Sequence, residues 1–547
     1  MRHFPELFEA LLKQRGIVPE EQENFLNPDY DKLHHPLSLP DMEKARDRVI
    51  KAIKDNEHIV VFSDYDCDGL PGAVVLSDFF TRVGFENVSF YIPHRHDEGF
   101  GLNMDAIEEI ATRGAKLIIT IDCGIADTKE VALANEKGID VIITDHHKPN
   151  PVLPEAYAVV NQNRSDSDYP FKGLCGAAVA FKLVQAVIDR EPFGVKPGME
   201  KWSLDMVAIA TLSDMVPLLG ENRILTSFGL SVLRKSPRPG LAALFKRMNI
   251  DQRTVSEDDV TFMITPRINA ASRMGVPEDA FKLLKTKDHE EAERLALHLE
   301  KINNERKGVV ASIVKEAKSR IAGRQEVARV IVIGNPEWRP ALLGLVANSL
   351  VEEYERPAFV WGRSGDGTLK GSCRSYDGYD LFALMSATSG EFVEFGGHTG
   401  AGGFSVTLES LSTLEERLSL ALSSLEAEPP SVESSVLHIN MDDVGENLWS
   451  LVSNFAPFGM GNKKPVFKIP KAEIKSVKQF GKENNHLEVV FNGGEKEIKA
   501  ISFFSDPASY SMMLTPGTRI SLLANLEKSF FRNRPELRLR IVDITKS

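Results

Sequence analysis

Cysteine is scarce. Cys67, Cys123, Cys175 and Cys373 are the only four in 547 residues, and no two form a C-x-x-C pair. A disulfide framework and a thiolate zinc site are both excluded, and a reducing cytoplasm is the expected setting. No apolar run approaches the roughly 20 residues of a membrane helix. The opening Met1-Arg2-His3-Phe4-Pro5-Glu6 has no signal-peptide core, so no membrane association is expected. Positive charge is in deficit, with 65 Lys plus Arg against 78 Asp plus Glu and a net charge of −13. That argues against polyanion binding over the whole surface, but not in a local basic groove. Glycine and proline, 39 and 29, are too few for a collagen-like or low-complexity chain. The apolar share of 42% suits a folded protein, and one core stops growing at about 250–300 residues, so at least two domains are expected.

Between about residues 55 and 163, short apolar runs alternate with helix-like stretches. His58–Phe62, Val88–Ile92, Lys116–Ile121 and Asp140–Thr144 read as strands, and residues 72–83 and 126–137 as helices. Continuous apolar strands separated by helices predict an α/β fold whose parallel sheet is covered on both faces. Ligands of such sheets bind beyond the carboxyl ends of the strands. Here those ends read Ser63-Asp64-Tyr65-Asp66-Cys67-Asp68-Gly69, Asp122-Cys123-Gly124 and Asp145-His146-His147, and a later helix runs into Ser213-Asp214. Residues 277–323 look helical throughout, with no internal proline after Pro277. A second α/β pattern runs from Val327 to about Leu425. Glu426–Ser431 reads as a linker, and short alternating strands after Val432 resemble a small β-barrel. The expected divisions are 1–276 with an N-terminal helical segment, 277–325 as connecting helices, 326–428, and 432–547.

Asp64, Asp66, Asp68 and Gly69 match the opening of an EF-hand loop, but its twelfth position, a bidentate Glu in that motif, is Val75 here, and a strand precedes the loop. The bland alternative is a solvated acidic turn. Three carboxylates within five residues repel one another unless a cation sits among them, which favours a metal site. Two adjacent histidines after a strand-end Asp, on the same rim, strengthen it. Oxygen and imidazole ligands suit Mn²⁺ or Mg²⁺. Cys67 and Cys123 read as small packing residues within these turns.

Together these motifs resemble the DHH phosphoesterase superfamily. Gly371-Ser372-Cys373-Arg374-Ser375 and the glycine-rich run Gly396–Gly403 resemble the two signatures of its associated DHHA1 domain. Glu98–Asn103, Pro266–Gly275 and Phe455–Asn462 narrow the likeness to the RecJ family, bacterial exonucleases that degrade single-stranded DNA from the 5′ end. The resemblance covers nearly the whole chain. It implies a DHH domain, a DHHA1 domain and an OB-like barrel. It also implies two divalent cations, Mn²⁺ or Mg²⁺, one held by Asp64, Asp66 and Asp122 and the other by Asp68, Asp122, His146 and Asp214, with His147 facing the scissile phosphate. Catalysis would fall to Asp122, His146, His147 and Asp214. Ser372, Arg374 and Ser375 offer a clamp for a terminal phosphate, and His398 lies where glycines admit close backbone approach, with a ligand-free turn as the alternative. Arg267, Asn269 and Arg273 form a polar cluster that serves either substrate or interdomain hydrogen bonds. Cys373 and Ser272 stand where the family usually has Gly, so both are expected to add bulk near the substrate path.

Seven lysines, including Lys463 and Lys464, lie between 463 and 482 against Glu473 alone. Phe530 and Phe531 are interleaved with Lys528, Arg532, Arg534, Arg538 and Arg540. On a barrel this suits a single-strand binder, with a solvated packing face as the alternative. The leading expectation is a monomeric, two-metal 5′→3′ single-strand exodeoxyribonuclease of DNA repair and recombination. By family resemblance its partners would be a single-stranded-DNA-binding protein and a helicase. Its rivals are a nanoRNase or small-phosphoester hydrolase, and a non-catalytic strand-binding scaffold.

Overall fold

The structure is a computed structural model that describes residues 4–376, 378–425, 436–481, 484–493, 496–505, 510, 512–529 and 535–546. The expected linker at 426–431 and Phe530, Phe531, Arg532 and Arg534 lie outside the described residues. The chain begins with helices α1 (Pro5–Gln14) and α2 (Pro19–Leu26). The first sheet follows: β1 (Ile59–Ser63), β2 (Val88–Tyr91), β3 (Leu117–Ile121), β4 (Asp140–Thr144) and β5 (Ala158–Val160). All five strands are parallel, in the order β2-β1-β3-β4-β5. Ile59 and Val61 face one apolar core while Val60 and Phe62 face the other, which is why β1 reads as an unbroken apolar run. Helices α3 (Gly69–Arg82), α4 (Gly176–Arg190) and α5 (Leu204–Ser213) cover the first face. A Cβ on Gly72 would lie 2.6 Å from Ile121 Cγ2, so only glycine lets α3 sit this close to β3.

After α6 (Thr265–Arg273), the connecting stretch expected to be helical is two helices. A helix over Pro277–Lys285 ends, and α7 (His289–Ala322, 34 residues) starts afresh because the Asp288 side chain accepts from Glu291 N at 2.7 Å and caps it. At 1.5 Å per residue α7 is about 50 Å long. Leu295, Leu299 and Ile302 belong to the first domain's core; Ile313, Ala317 and Ile321 belong to the second's. One rigid rod is thus shared by two cores and sets the cleft between them.

The second sheet holds β6 (Ile331–Gly334), β7 (Ala358–Arg363), β8 (Leu369–Arg374), β9 (Glu394–His398) and β10 (Ala401–Val406), in the order β6-β7-β8-β10-β9, with α8 (Pro340–Tyr354) against β7 and β8. The third is a barrel of β11 (Leu437–His438), β12 (Phe467–Phe480), β13 (His486–Gly493), β14 (Lys496–Phe503), β15 (Arg519–Ser529) and β16 (Glu536–Lys546), closed by pairing of β12 with β15. Phe8, Leu11, Leu12 and Phe25 of the N-terminal helices are buried in the barrel's core, not in that of the first sheet. Arg223 ties the three regions together, donating to the carbonyls of Phe25, Phe455 and Ala456 at 2.6–3.1 Å. Among the described residues no helix is long and apolar enough to cross a membrane.

Candidate metal centre and nucleic-acid interface

The carboxyl ends of β1, β3 and β4 converge as expected of a parallel sheet, and each acidic side chain is aimed by its own backbone. Asp66 Oδ1 accepts from Asp68 N at 2.7 Å and Gly69 N at 3.2 Å, folding the first loop back on itself. A Cβ on Gly69 would stand 2.4 Å from the Asp64 carbonyl oxygen. Asp68 is anchored at the start of α4, where Gly176 N and Ala177 N donate to its two oxygens at 2.6 and 2.8 Å. Asp122 takes a left-handed backbone, φ 61°, and Gly176 packs under it so tightly that a Cβ would lie 2.5 Å from Asp122 Cβ.

Three groups result whose ligand atoms lie within 4.8 Å of one another: Asp64, Asp66 and Asp122; Asp68, His146 and Asp214; Asp122, His146 and His147. His146 Nε2 is 3.1 Å from Asp122 Oδ1, 3.6 Å from Asp214 Oδ2 and 3.8 Å from Asp68 Oδ2. Asp64 Oδ1, Asp122 Oδ1, His146 Nε2 and Asp214 Oδ2 are all buried and have no hydrogen-bond partner. Buried polar atoms are rarely left so. Four of them along one rim, three of them carboxylate oxygens, fall in adjoining ligand groups and fit divalent cation sites.

The electrostatics agree. Burial, then the charges of neighbouring carboxylates, push the carboxyls of Asp64, Asp68 and Asp122 up, and Asp214 reaches about 9. Burial holds His146 down, ready to ligate as neutral imidazole. Burial also opposes the His147 cation, but the hydrogen bond and charge of Asp145 outweigh it, raising His147 to about 9. Asp145 is a residue whose role the sequence left unassigned. It accepts from Ile125 N, from His146 N and His147 N, and from His147 Nδ1 at 2.8 Å, so it fixes both the turn and the ring. Cys67 and Cys123 are buried on the two sides of the sheet, and burial lifts the Cys67 thiol to about 12.

Across the cleft, Arg374 ends β8 with its guanidinium beside Gly344 and its Nη1 on the Cys373 carbonyl at 2.8 Å. No carboxylate pairs with it among the described residues, and burial lowers its pKa. Arg273 reaches the Ala341 carbonyl at 2.5 Å; burial, then the charges of Arg95, Arg306 and Arg374, bring it down to about 9. Arg95, stacked 4.9 Å from the Tyr65 ring centroid, and Arg306 are cluster members that no motif singles out. Ser372 lies on β8 two residues before Arg374; Ser375 Oγ donates to the Tyr379 carbonyl; His398, exposed on β9, accepts from Gly400 N. Arg267 is committed to Glu300 on α7 at 2.5 Å and Asn269 Oδ1 receives Cys67 N at 2.9 Å, so they tie α6 to α7 and to the acidic loop rather than one domain to the other. The bulk expected of Cys373 and Ser272 near the substrate path is not there. Cys373 alternates off the Ser372–Arg374 face into the second domain's core, and Ser272 is fully buried on α6, donating to the Asn269 carbonyl.

Two aromatic features were not singled out from sequence. Phe100 stands 53% exposed between Gly99 and Gly101, both at positive φ, with its ring 5.5 Å from His147. On the barrel, His486 lies 4.9–5.2 Å from the rings of Phe480, Phe503 and Phe504. Arg540 sits 4.1 Å over Phe503, and Phe504 is 82% exposed. Of the expected basic residues, Lys463 and Lys464 line a groove that also holds Met215, Phe262 and Arg540, and Lys464 is paired with Asp258.

A parallel sheet carrying this acidic and imidazole rim, joined by a long helix to a second domain with unpaired arginines, defines a DHH-type phosphoesterase. Family models agree along the chain: the DHH family N-terminal domain over residues 58–211, the DHHA1 domain over 326–427 and the RecJ OB domain over 437–543. The chain is 34% identical to the single-stranded-DNA-specific exonuclease RecJ of Bacillus subtilis, over all of this chain and 68% of that one. With its namesake in Escherichia coli it shares 30% identity over 99% and 96% of the two chains. The crystal structure of Thermus thermophilus RecJ with Mn²⁺ superposes with a TM-score of 0.81 at 26% identity, covering 99% of this chain and 76% of that one. The chain belongs to the RecJ family.

Proposed function

We propose that this protein is a metal-dependent 5′→3′ exonuclease that hydrolyses single-stranded DNA to mononucleotides, in DNA repair and recombination. The observation that carries the reading is the convergence of four partnerless buried ligand atoms at the carboxyl edge of the first sheet, with Asp122 in two of the three groups. Asp64, Asp66 and Asp122 would hold one Mn²⁺ or Mg²⁺ and Asp68, Asp122, His146 and Asp214 the other. Two such ions supply water activation and leaving-oxygen stabilisation when bound. The remaining work falls to the chain. Asp145 fixes His147 through Nδ1 and leaves Nε2 to donate a charge-assisted hydrogen bond to the scissile phosphate. Arg374, Arg273 and Arg95 form a like-charged cluster, without a carboxylate in salt-bridge reach among the described residues, that suits a 5′-terminal phosphate, with Ser372 on the same strand as Arg374. An end held there sits at a fixed distance from the acidic rim, because α7 is packed into both cores. Phe480, His486, Phe503, Phe504 and Arg540 support strand binding by the barrel through stacking and charge. That surface favours a long strand over the dinucleotide of a nanoRNase, and the intact ligand set disfavours a non-catalytic scaffold. We place the protein in the cytoplasm as a monomer, with a strand-coating protein and a helicase as its partners. Digestion of 5′- and 3′-labelled single strands with Mn²⁺ and with Mg²⁺ tests the reading. Immediate release of the 5′ label as mononucleotide is expected, and release of the 3′ label first would refute it.

A further inference from the structure

A cavity of about 630 Å³ opens between the two α/β domains. It adjoins the arginine cluster without being it. Arg95 belongs to both, and Ala341, whose carbonyl takes the Arg273 guanidinium, lines the cavity. None of the proposed metal ligands does. Beyond Arg95 its wall carries Arg339, Arg363 and Lys370 against the single acid Glu337. Lys370 has Asp366 at 3.7 Å, but Arg95, Arg339 and Arg363 have no carboxylate partner among the described residues. Helix α8, 15 residues long, begins at this wall with no side-chain cap, so its positive end adds to the field. The size is that of a small-molecule site, and the chemistry selects a phosphate monoester.

The proposed reaction releases such a molecule at every turn. On that reading the strand still being digested would occupy the side of the acidic rim that faces the barrel, so the freed nucleotide would need another place to go. We infer that this cavity is a mononucleotide site, holding the released nucleoside 5′-monophosphate by its phosphate on Arg339 and Arg363. The inference rests on the proposed function for the source of the ligand, not for the site itself.

The test uses the full chain in EDTA and equilibrium binding of 5′-dAMP. Binding by the wild type is expected, with displacement by inorganic phosphate and none by deoxyadenosine. The double variant Arg339→Ala/Arg363→Ala should weaken dAMP binding about tenfold or more, the loss of at least one charge-assisted contact. Its single-turnover hydrolysis of a 5′-phosphorylated strand in Mn²⁺ should stay within about twofold of wild type, since neither arginine belongs to the catalytic or end-binding groups. Arg374→Ala should keep most of its dAMP affinity. If dAMP affinity instead falls in Arg374→Ala and not in the double variant, the nucleotide sits in the end-binding cluster and the inference fails. Absence of dAMP binding at millimolar concentration also overturns it. If that absence comes with faster cutting of a 5′-triphosphate strand, the cavity serves extended ends instead. Binding that depends on Arg339 and Arg363 in a protein that digests no single strand would leave the site standing and sink the exonuclease reading.

Discussion

On one side of the cleft, carboxylates crowd together with their pKa values pushed up; on the other, guanidiniums crowd together with theirs pushed down. Elsewhere the same side chains behave differently. Arg238 is more deeply buried than Arg273, yet it lies between Asp78 at 2.5 Å and Asp205 at 2.7 Å, and its pKa is raised. Lys182 is likewise paired with Glu221 at 2.7 Å. Burial is common to all of them, so it does not mark a site. What distinguishes the cleft is that each wall holds an excess of one sign: carboxylates with His147 as their imidazolium neighbour on one side, and guanidiniums with no carboxylate in salt-bridge reach among the described residues on the other. Folding alone would not retain this arrangement. The acidic wall calls for cations and the basic wall for phosphate, and a metal-bound strand with a phosphorylated end supplies both.

The largest effect should come from breaking the acidic wall at its centre. Asp122→Ala should lower hydrolysis in saturating Mn²⁺ by about a hundred- to a thousandfold or more, as for loss of a central electrostatic group, while strand binding and the circular dichroism spectrum hold. Near-wild-type turnover would overturn the two-metal assignment. Gly176→Ala should approach the same defect without touching a ligand, because its Cβ would displace Asp122. On the basic wall the expected loss is smaller. Arg374→Ala should erase a preference for 5′-phosphate over 5′-hydroxyl ends worth about ten- to a hundredfold, the equivalent of one charge-assisted contact. Initial rates on the two versions of one oligonucleotide decide it, and a mutant that keeps the full preference would move the end-reading role elsewhere.

Metal withdrawal sharpens the contrast through pH. In EDTA the folded state holds protons on the acidic wall that the unfolded chain gives up at about pH 4. Stability should therefore fall as pH rises from about 4 toward about 9, the value for Asp214. Mn²⁺ replaces those protons, so it should raise the melting temperature more at pH 9 than at pH 6. Parallel melting curves with and without Mn²⁺ across that range would show that the wall binds no cation.

Much of the acidic wall was legible because it is local. Each apolar strand ends in its own acidic motif, and sheet topology does the assembly. The strand β5 was not, since Ala158–Val160 is too short to carry a pattern. The break before α7 depends on one capping side chain, Asp288, that no proline announces. The basic wall was legible only in Arg374 and Arg273, because Arg95 and Arg306 arrive from distant segments. The barrel's charge was only partly legible. In its lysine-rich run over 463–482, Lys464 pairs with Asp258 and Lys475 with Glu497, and beyond the run Lys528 pairs with Glu446. Counter-charges brought in from distant helices and from β14 are invisible in a linear window.

That pairing makes the barrel the weakest of the three charged surfaces and shifts its expected contribution from charge to stacking. Deleting residues from 432 onward would not isolate it, since Phe8, Leu11, Leu12 and Phe25 would lose their cover. Point substitutions separate the two contributions. Phe504→Ala removes an exposed ring that the fold does not need, and should weaken binding to long single strands about fivefold, the low end of one base stack, with the salt dependence unchanged. Arg540→Ala should instead flatten the log–log salt slope by about 0.7, one phosphate contact, if its guanidinium meets the backbone as it lies over Phe503. Titrations of a long oligonucleotide at several salt concentrations, with the Asp122→Ala protein as background to prevent digestion, read both. A flattened slope in Phe504→Ala with no change in Arg540→Ala would reverse the division argued here, and wild-type affinity in both would leave the barrel as packing for the N-terminal helices.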